Sequence, residues 1–392
     1  MANVALAAAL LLLLDAAAFF LLPEKIGRWI WPYGCANCQP PPYAGSRLFP
    51  QGYFTSDSAM GFDISPSTRE ENHWVEGFYY GVWANELSCF DIGEGPDSEY
   101  YYLAGDSFSW GFAPFQSKYG TIVEKRTDMR VLKCGVPHTG QLHQLMKARK
   151  VISRIGRSPK AIIVQYFPND VCNDFAFPHS TVVDGWLFEN KSVVQAGDTW
   201  SIQIRTIGQW SGPARATTAD NVRFQLRKYS LTANVVIRAY YRLRSALWGR
   251  PANRTQGIYP SGVCDGSTPP SYQGPLYERN REGLYAFKAY ADSIGSDLVF
   301  VLVPPLSNIG NVAYFESLKN MLEGEGIDYV DLSGPFAEYK GATEPLYWYD
   351  DMHLSIAGNA LAAHEIVAHL QAGLSAYGAG RTIANVAAPR AN

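Results

Sequence analysis

Apolar and polar positions change rhythm along the chain, and the changes mark its regions. Residues 2–22 are apolar but for Asn3 and Asp15. Between about 50 and 95, short apolar runs are broken by Gly, Pro, Ser and Asp, the pattern of a small β-rich extension. From residue 99 onward, continuous apolar runs alternate with stretches of helical period. The runs at 100–104, 131–134, 161–166 (AIIVQY), 298–303 (LVFVLV) and 329–332 read as strands. The stretches at 114–125, 139–155, 281–294, 312–322 and 357–374 read as helices. Strands without a polar face, separated by helices, predict a parallel sheet covered on both sides.

The alternation fails between 175 and 274, which reads as a large insertion. It contains RFQLRKYSLTANVVIRAYYRLRSALWGR, a basic, aromatic, helical stretch. Such a helix suits a membrane surface or a partner; the plainer reading is a solvated helix whose arginine stems cover apolar neighbours. The predicted organisation is therefore an anchor (1–22), linker and extension (23–98), a split α/β domain (99–174 and 275–375), the insertion (175–274) and a tail (376–392).

At 1.5 Å per residue, residues 2–22 span about 30 Å, enough to cross a bilayer. Trp29, Trp31 and Tyr33 follow with Lys25 and Arg28, like an interfacial belt. No Lys or Arg precedes the apolar run, which favours a retained single-pass anchor over a cleaved leader. Asp15 would need a partner at membrane depth. Lys25 and Arg28 argue for a cytoplasmic domain. The cysteines argue for a periplasmic or extracellular one. Of the six, Cys35 and Cys38 have CxxC spacing without a haem-type histidine or a second pair. A structural disulfide involving Cys38 or Cys89 is the expected use; Cys172 and Cys264 could pair likewise, and spacing alone does not fix the connectivity. A net charge of −3 gives no pull toward nucleic acid.

Polar residues stand where the predicted strands end. Ser107 follows the first strand in GDSFSWG, Gly135 the second, and Asn169 the third in FPND. Asp350 and His353 (DDMH) precede the final helix. The carboxyl edge of an open parallel sheet is where ligands bind, so four distant stretches meet at one rim. The chemistry of that set is acyl transfer. A serine hydroxyl needs a base, His353 can serve, and Asp350 can hold its other nitrogen; Asp351 is the alternative holder. The N–H groups of Ser107 and Gly135 and the Asn169 amide can face a developing oxyanion. No cofactor or metal is required, and His138, His143 and His179 are scattered rather than grouped as metal ligands.

These four motifs resemble the SGNH (GDSL-type) hydrolase family over about half the chain. The resemblance implies a three-layer α/β/α fold with a flavodoxin-like parallel sheet. It implies Ser107 as nucleophile, His353 as base, Asp350 as its orienter, and Ser107, Gly135 and Asn169 as the oxyanion hole. Phe167 stands where the family has glycine, and its ring could narrow the site. An α/β-hydrolase elbow fits less well, because Ser109 occupies its last glycine position. Two functions follow as expectations. One is a membrane-anchored serine esterase or acyl-transfer enzyme acting on small esters or O-acetylated envelope carbohydrate. The other is a non-catalytic subunit of a respiratory or photosynthetic membrane complex.

Overall fold

The computed structural model describes residues 49–75, 78–197, 199–206, 262–339, 344–348 and 351–384, with isolated positions between 10 and 17 and between 217 and 243. Most of the predicted anchor, Cys35, Cys38, the tail beyond 384 and most of the basic stretch lie outside the described residues. Asp15 is described, and its carboxylate accepts the Thr232 N–H at 2.6 Å. Among the described residues no helix is long and apolar enough to cross a membrane.

The extension is two antiparallel hairpins, β1 (Phe54–Asp57) with β2 (Gly61–Ile64) and β3 (Thr68–Val75) with β4 (Phe78–Ala84). Then come β5 (Tyr100–Ala104), the single turn α1 (Ser107–Trp110), α2 (Tyr119–Thr127), β6 (Arg130–Lys133), α3 (Gln141–Ile155), β7 (Ala161–Tyr166) and α4 (Asp170–Phe175). Two further hairpins follow, β8 (Ser180–Val183) with β9 (Trp186–Glu189) and β10 (Lys191–Ala196) with β11 (Thr199–Ile204). The α/β pattern resumes with α5 (Glu278–Ser293), β12 (Asp297–Leu302), α6 (Glu316–Gly324), β13 (Asp328–Asp331), α7 (Ser333–Glu338) and α8 (Ile356–Ala384).

Five strands form one sheet in the order β13-β12-β7-β5-β6, every pair parallel. Counted along the sheet strands alone this is 2-1-3-4-5, the flavodoxin-like order, with the direction of winding changing between β5 and β7. β5 and β7 are buried at every position because both faces carry helices. Tyr100, Tyr102 and Ala104 face the core with residues of α3 and α5; Tyr101 and Leu103 face the core with residues of α2 and α8. A third core of Phe49, Tyr53, Phe54, Phe62 and Tyr80 seats the extension on Trp110 and Phe112, just beyond Ser107.

Two disulfides tie the added segments to the sheet, Cys89–Cys134 and Cys172–Cys264. The first joins the extension to the residue before Gly135. The second joins α4 to the point where the chain returns from the insertion.

Candidate active site

The turn after β5 holds Ser107 by local constraints. Gly105 has φ +141°, and a Cβ there would meet Ser109 Cβ at 2.6 Å and Gln165 Oε1 at 2.7 Å. Only glycine fits both the angle and the space. Asp106 then caps α1, its Oδ1 accepting the Phe108 N–H at 2.8 Å. Gln165 Oε1 accepts the N–H groups of Asp106 and Ser109, both at 3.1 Å. Ser107 is 9% exposed.

His353 reaches this turn from the loop before α8. Its Nε2 lies 2.8 Å from Ser107 Oγ. Its Nδ1 is hydrogen-bonded to Asp351 Oδ1, which also accepts the His353 backbone N–H at 3.0 Å. A proton on Nδ1 facing a carboxylate leaves the Nε2 lone pair for the serine hydroxyl. The imidazole is gripped between rings: Phe112 stacks on it at 4.0 Å and 20°, and Phe108 lies at 4.9 Å. The carboxylate seen on the imidazole is that of Asp351, the alternative holder; Asp350 lies outside the described residues. The cause is local: a carboxylate two residues back bonds both the N–H and the ring of His353 in one tight turn.

The oxyanion candidates converge on the same turn. Val136 N–H donates to Gly105 O at 2.9 Å, drawing the loop after β6 against α1. A Cβ at Gly135 would meet Trp110 N at 2.5 Å and Ser109 Oγ at 2.7 Å, so glycine here permits close backbone packing. The N–H groups of Ser107 and Gly135 have no protein acceptor among the described residues. Asn169 stands at the start of α4 close enough to Asp106 to help lower its carboxyl pKa, and its Oδ1 is buried without a hydrogen-bond partner.

Phe167 does not occupy the rim. It is 1% exposed and its ring stacks on Phe108 at 4.2 Å, within the core beneath α1. Its N–H donates to Asp170 Oδ2 at 3.0 Å. Asp170 also accepts from Gln141 Nε2 at 2.8 Å, and burial pushes its carboxyl well above the usual range. Asp106 is likewise raised by burial.

Several supporting residues had no motif to announce them. Gln165 was visible as the one polar side chain in AIIVQY, and Asp106 as the acid beside the serine. His73 had no such signal. It lies behind Phe112 with ring centroids 5.4 Å apart, bonds Tyr80 Oη through Nδ1 at 3.0 Å, and is pushed by burial down to about 3. It stays neutral in the working pH range. Among the described residues no group of His, Cys, Asp and Glu could hold a metal ion.

No family model matches the chain, and no curated protein matches it in sequence. Solved structures similar to it include a lipase/acylhydrolase from Enterococcus faecalis, with 12% identity, 70% of this chain and 96% of that chain covered, and a TM-score of 0.35. The acetylxylan esterase Axe2 from Geobacillus stearothermophilus has 13% identity, coverage of 69% and 93%, and a TM-score of 0.35. A GDSL-like lipase from Bacteroides thetaiotaomicron has 9% identity, coverage of 70% and 89%, and a TM-score of 0.34.

Proposed function

We propose that the chain is a serine esterase or acyl-transfer enzyme acting on ester-linked acyl groups. The observation that carries this reading is the relay Ser107 Oγ, His353 Nε2, His353 Nδ1 and Asp351, with the first contact at 2.8 Å. In the first step Ser107 Oγ attacks the ester carbonyl while His353 takes its proton. The N–H groups of Ser107 and Gly135 and the Asn169 amide receive the oxyanion. His353 then returns the proton to the leaving alcohol. A second alcohol or water, deprotonated by the same imidazole, releases the acyl group from Ser107. The roles of Ser107, His353, Asp351, Gly135 and Asn169 belong to this proposal.

O-acetyl groups on envelope carbohydrate are the proposed natural substrate. The apolar segment 2–22 supports tethering to a membrane, and two disulfides support a periplasmic or extracellular site for the folded domain. The accessory-subunit reading drew on Phe167 as an obstruction; with that ring in the core, it retains the apolar segment and Asp15 within it for support.

The test is hydrolysis of a short-chain aryl ester by the full chain, together with labelling by a serine-reactive phosphonate. Labelling at Ser107, and loss of turnover and label in Ser107→Ala, are expected. Equal inactivity of both proteins, with no label and constant-ratio co-purification with membrane subunits, would establish the subunit role instead.

A further inference from the structure

His353 sits on a fastened strap of chain rather than on an open loop. Ser355 N–H donates to Leu346 O at 2.9 Å, and Trp348 N–H donates to His353 O at 3.1 Å. Between these bonds Tyr347 and Leu354 form an antiparallel bridge. Tyr347 Oη also donates to Pro304 O, just past β12, and Ser355 Oγ to Pro345 O. The base is therefore carried by residues 346–348 as much as by its own neighbours.

Trp348 also reaches out of the strap. Its Nε1 donates to Phe112 O at 2.8 Å. Phe112 lies on the chain just past Ser107 and α1, and its ring stacks on His353 at 4.0 Å. One tryptophan thus holds the histidine by its main-chain carbonyl and holds the backbone of the residue whose ring lies on the imidazole. It joins the strap of the base to the loop of the nucleophile at a point separate from the Ser107–His353 contact. Trp348 is 5% exposed, so solvent offers little replacement for a lost indole bond. Rings of the extension pack on Phe112 as well, with centroids of His73 at 5.4 Å and Phe49 at 6.0 Å.

The same core contains a matched bond without this connection. Trp83 Nε1 donates to Asp91 O at 2.9 Å, and both residues belong to the extension. The two indoles do the same chemistry, an N–H on a main-chain carbonyl, in different places.

We propose that Trp348 is a positioning residue of the relay: its indole N–H, through Phe112, sets where the His353 imidazole stands over Ser107. The effect on turnover rests on the esterase reading, whereas the placement of the imidazole can be read without turnover. A residue of this kind acts on the base and not on the substrate, so its loss lowers kcat and leaves KM.

The experiment compares the full chain as wild type, Trp348→Phe, Phe112→Leu, the double variant and Trp83→Phe. It measures kcat and KM on a short-chain aryl ester, urea unfolding, and the NMR resonance of the His353 Nδ1 proton held on Asp351. Trp348→Phe keeps an aromatic ring and removes the N–H. It should lower kcat by about 10–100-fold, the scale of a small misplacement of a reacting group, with KM little changed. It should also broaden or abolish the Nδ1 proton resonance. Trp83→Phe should leave kcat and the resonance as in wild type. The double variant should lose little more than the worse single one, because both changes break one clamp. Should Trp348→Phe not fold, Phe112→Leu carries the same expectations. Wild-type kcat in Trp348→Phe, equal loss in Trp83→Phe, or fully additive losses in the double variant overturn the proposal. If wild type turns over no ester, the esterase reading falls and the resonance decides alone. Its loss in Trp348→Phe but not in Trp83→Phe upholds the placement; its survival in both, or its absence from wild type, overturns it.

Discussion

A loop and a short helix at the carboxyl edge of the sheet each carry a buried aspartate, and they use it in opposite ways. Asp351 gives its carboxylate to an imidazole that faces a hydroxyl. Asp174, at the end of FPNDVCND, gives its carboxylate to fixed neutral donors: Gln141 N–H at 3.0 Å, Leu142 N–H at 2.9 Å and Asn280 Nδ2 at 2.8 Å. The first partner can take and return a proton during a reaction. The second set can only hold position, and it pins the start of α3 and α5 to the loop that carries Asn169. What a buried carboxylate can support depends on its partner: an imidazole can carry a proton, and fixed N–H donors cannot.

The comparison is broken most sharply at Asp351. Asp351→Asn should lower kcat on an aryl ester by about 10⁴, because the amide can hold the wrong imidazole tautomer. Asp350→Asn should stay within a few-fold of wild type; the reverse ranking would return the orienting role to Asp350. Next in size is Asn169→Ala, expected to cost about 10²–10³ in kcat with little change in KM, since an oxyanion donor acts only in the transition state. A change confined to KM would mark Asn169 as a binding residue.

The smallest effect belongs to Asp174 and should appear in stability rather than turnover. Burial pushes its carboxyl up to about 7, against the three hydrogen bonds that pull it down. The unfolded value is about 3.9, so the folded state holds this proton more tightly. Its contribution is fully present below about pH 4 and is lost as pH rises through 7, by at most about 1.4 kcal/mol per pH unit. Urea unfolding of wild type and Asp174→Asn at pH 4.5, 5.5 and 7 should show the difference between them changing along that slope. A pH-independent difference would mean that the Asp174 carboxyl titrates alike in both states.

Much of the sheet was legible because its strands are buried on both faces and so read as unbroken apolar runs. β7 has the predicted bounds, while β6, β12 and β13 each begin and end one residue earlier than the pattern suggested. The start of α6 moved further, from 312 to Glu316, because residues 312–315 form turns. Asp350 and Asp351 could not be separated by spacing, since both can reach an imidazole and the backbone turn decides. Phe167 was decidable in principle. Ile163 and Phe167 share one core, and Ile162, Val164 and Tyr166 the other, so the period of two continued past the strand would have turned the ring inward. A cavity lined by Phe49, Phe54, His138, Trp186 and Glu189 was beyond reach, because these residues lie far apart in sequence.

The Cys172–Cys264 bond has a consequence for how such a protein can change over generations. It closes a stretch of 92 residues at its base, so the chain leaves the sheet and returns to it at one fastened point. On either side of that excursion the β7 and β12 strands pair in register. Ser107 and Asn169 stand at strand ends of the sheet, while the hairpins β8–β9 and β10–β11 ride on the fastened excursion. The sheet and the excursion are thus separately heritable parts, and the second could be exchanged as one cassette.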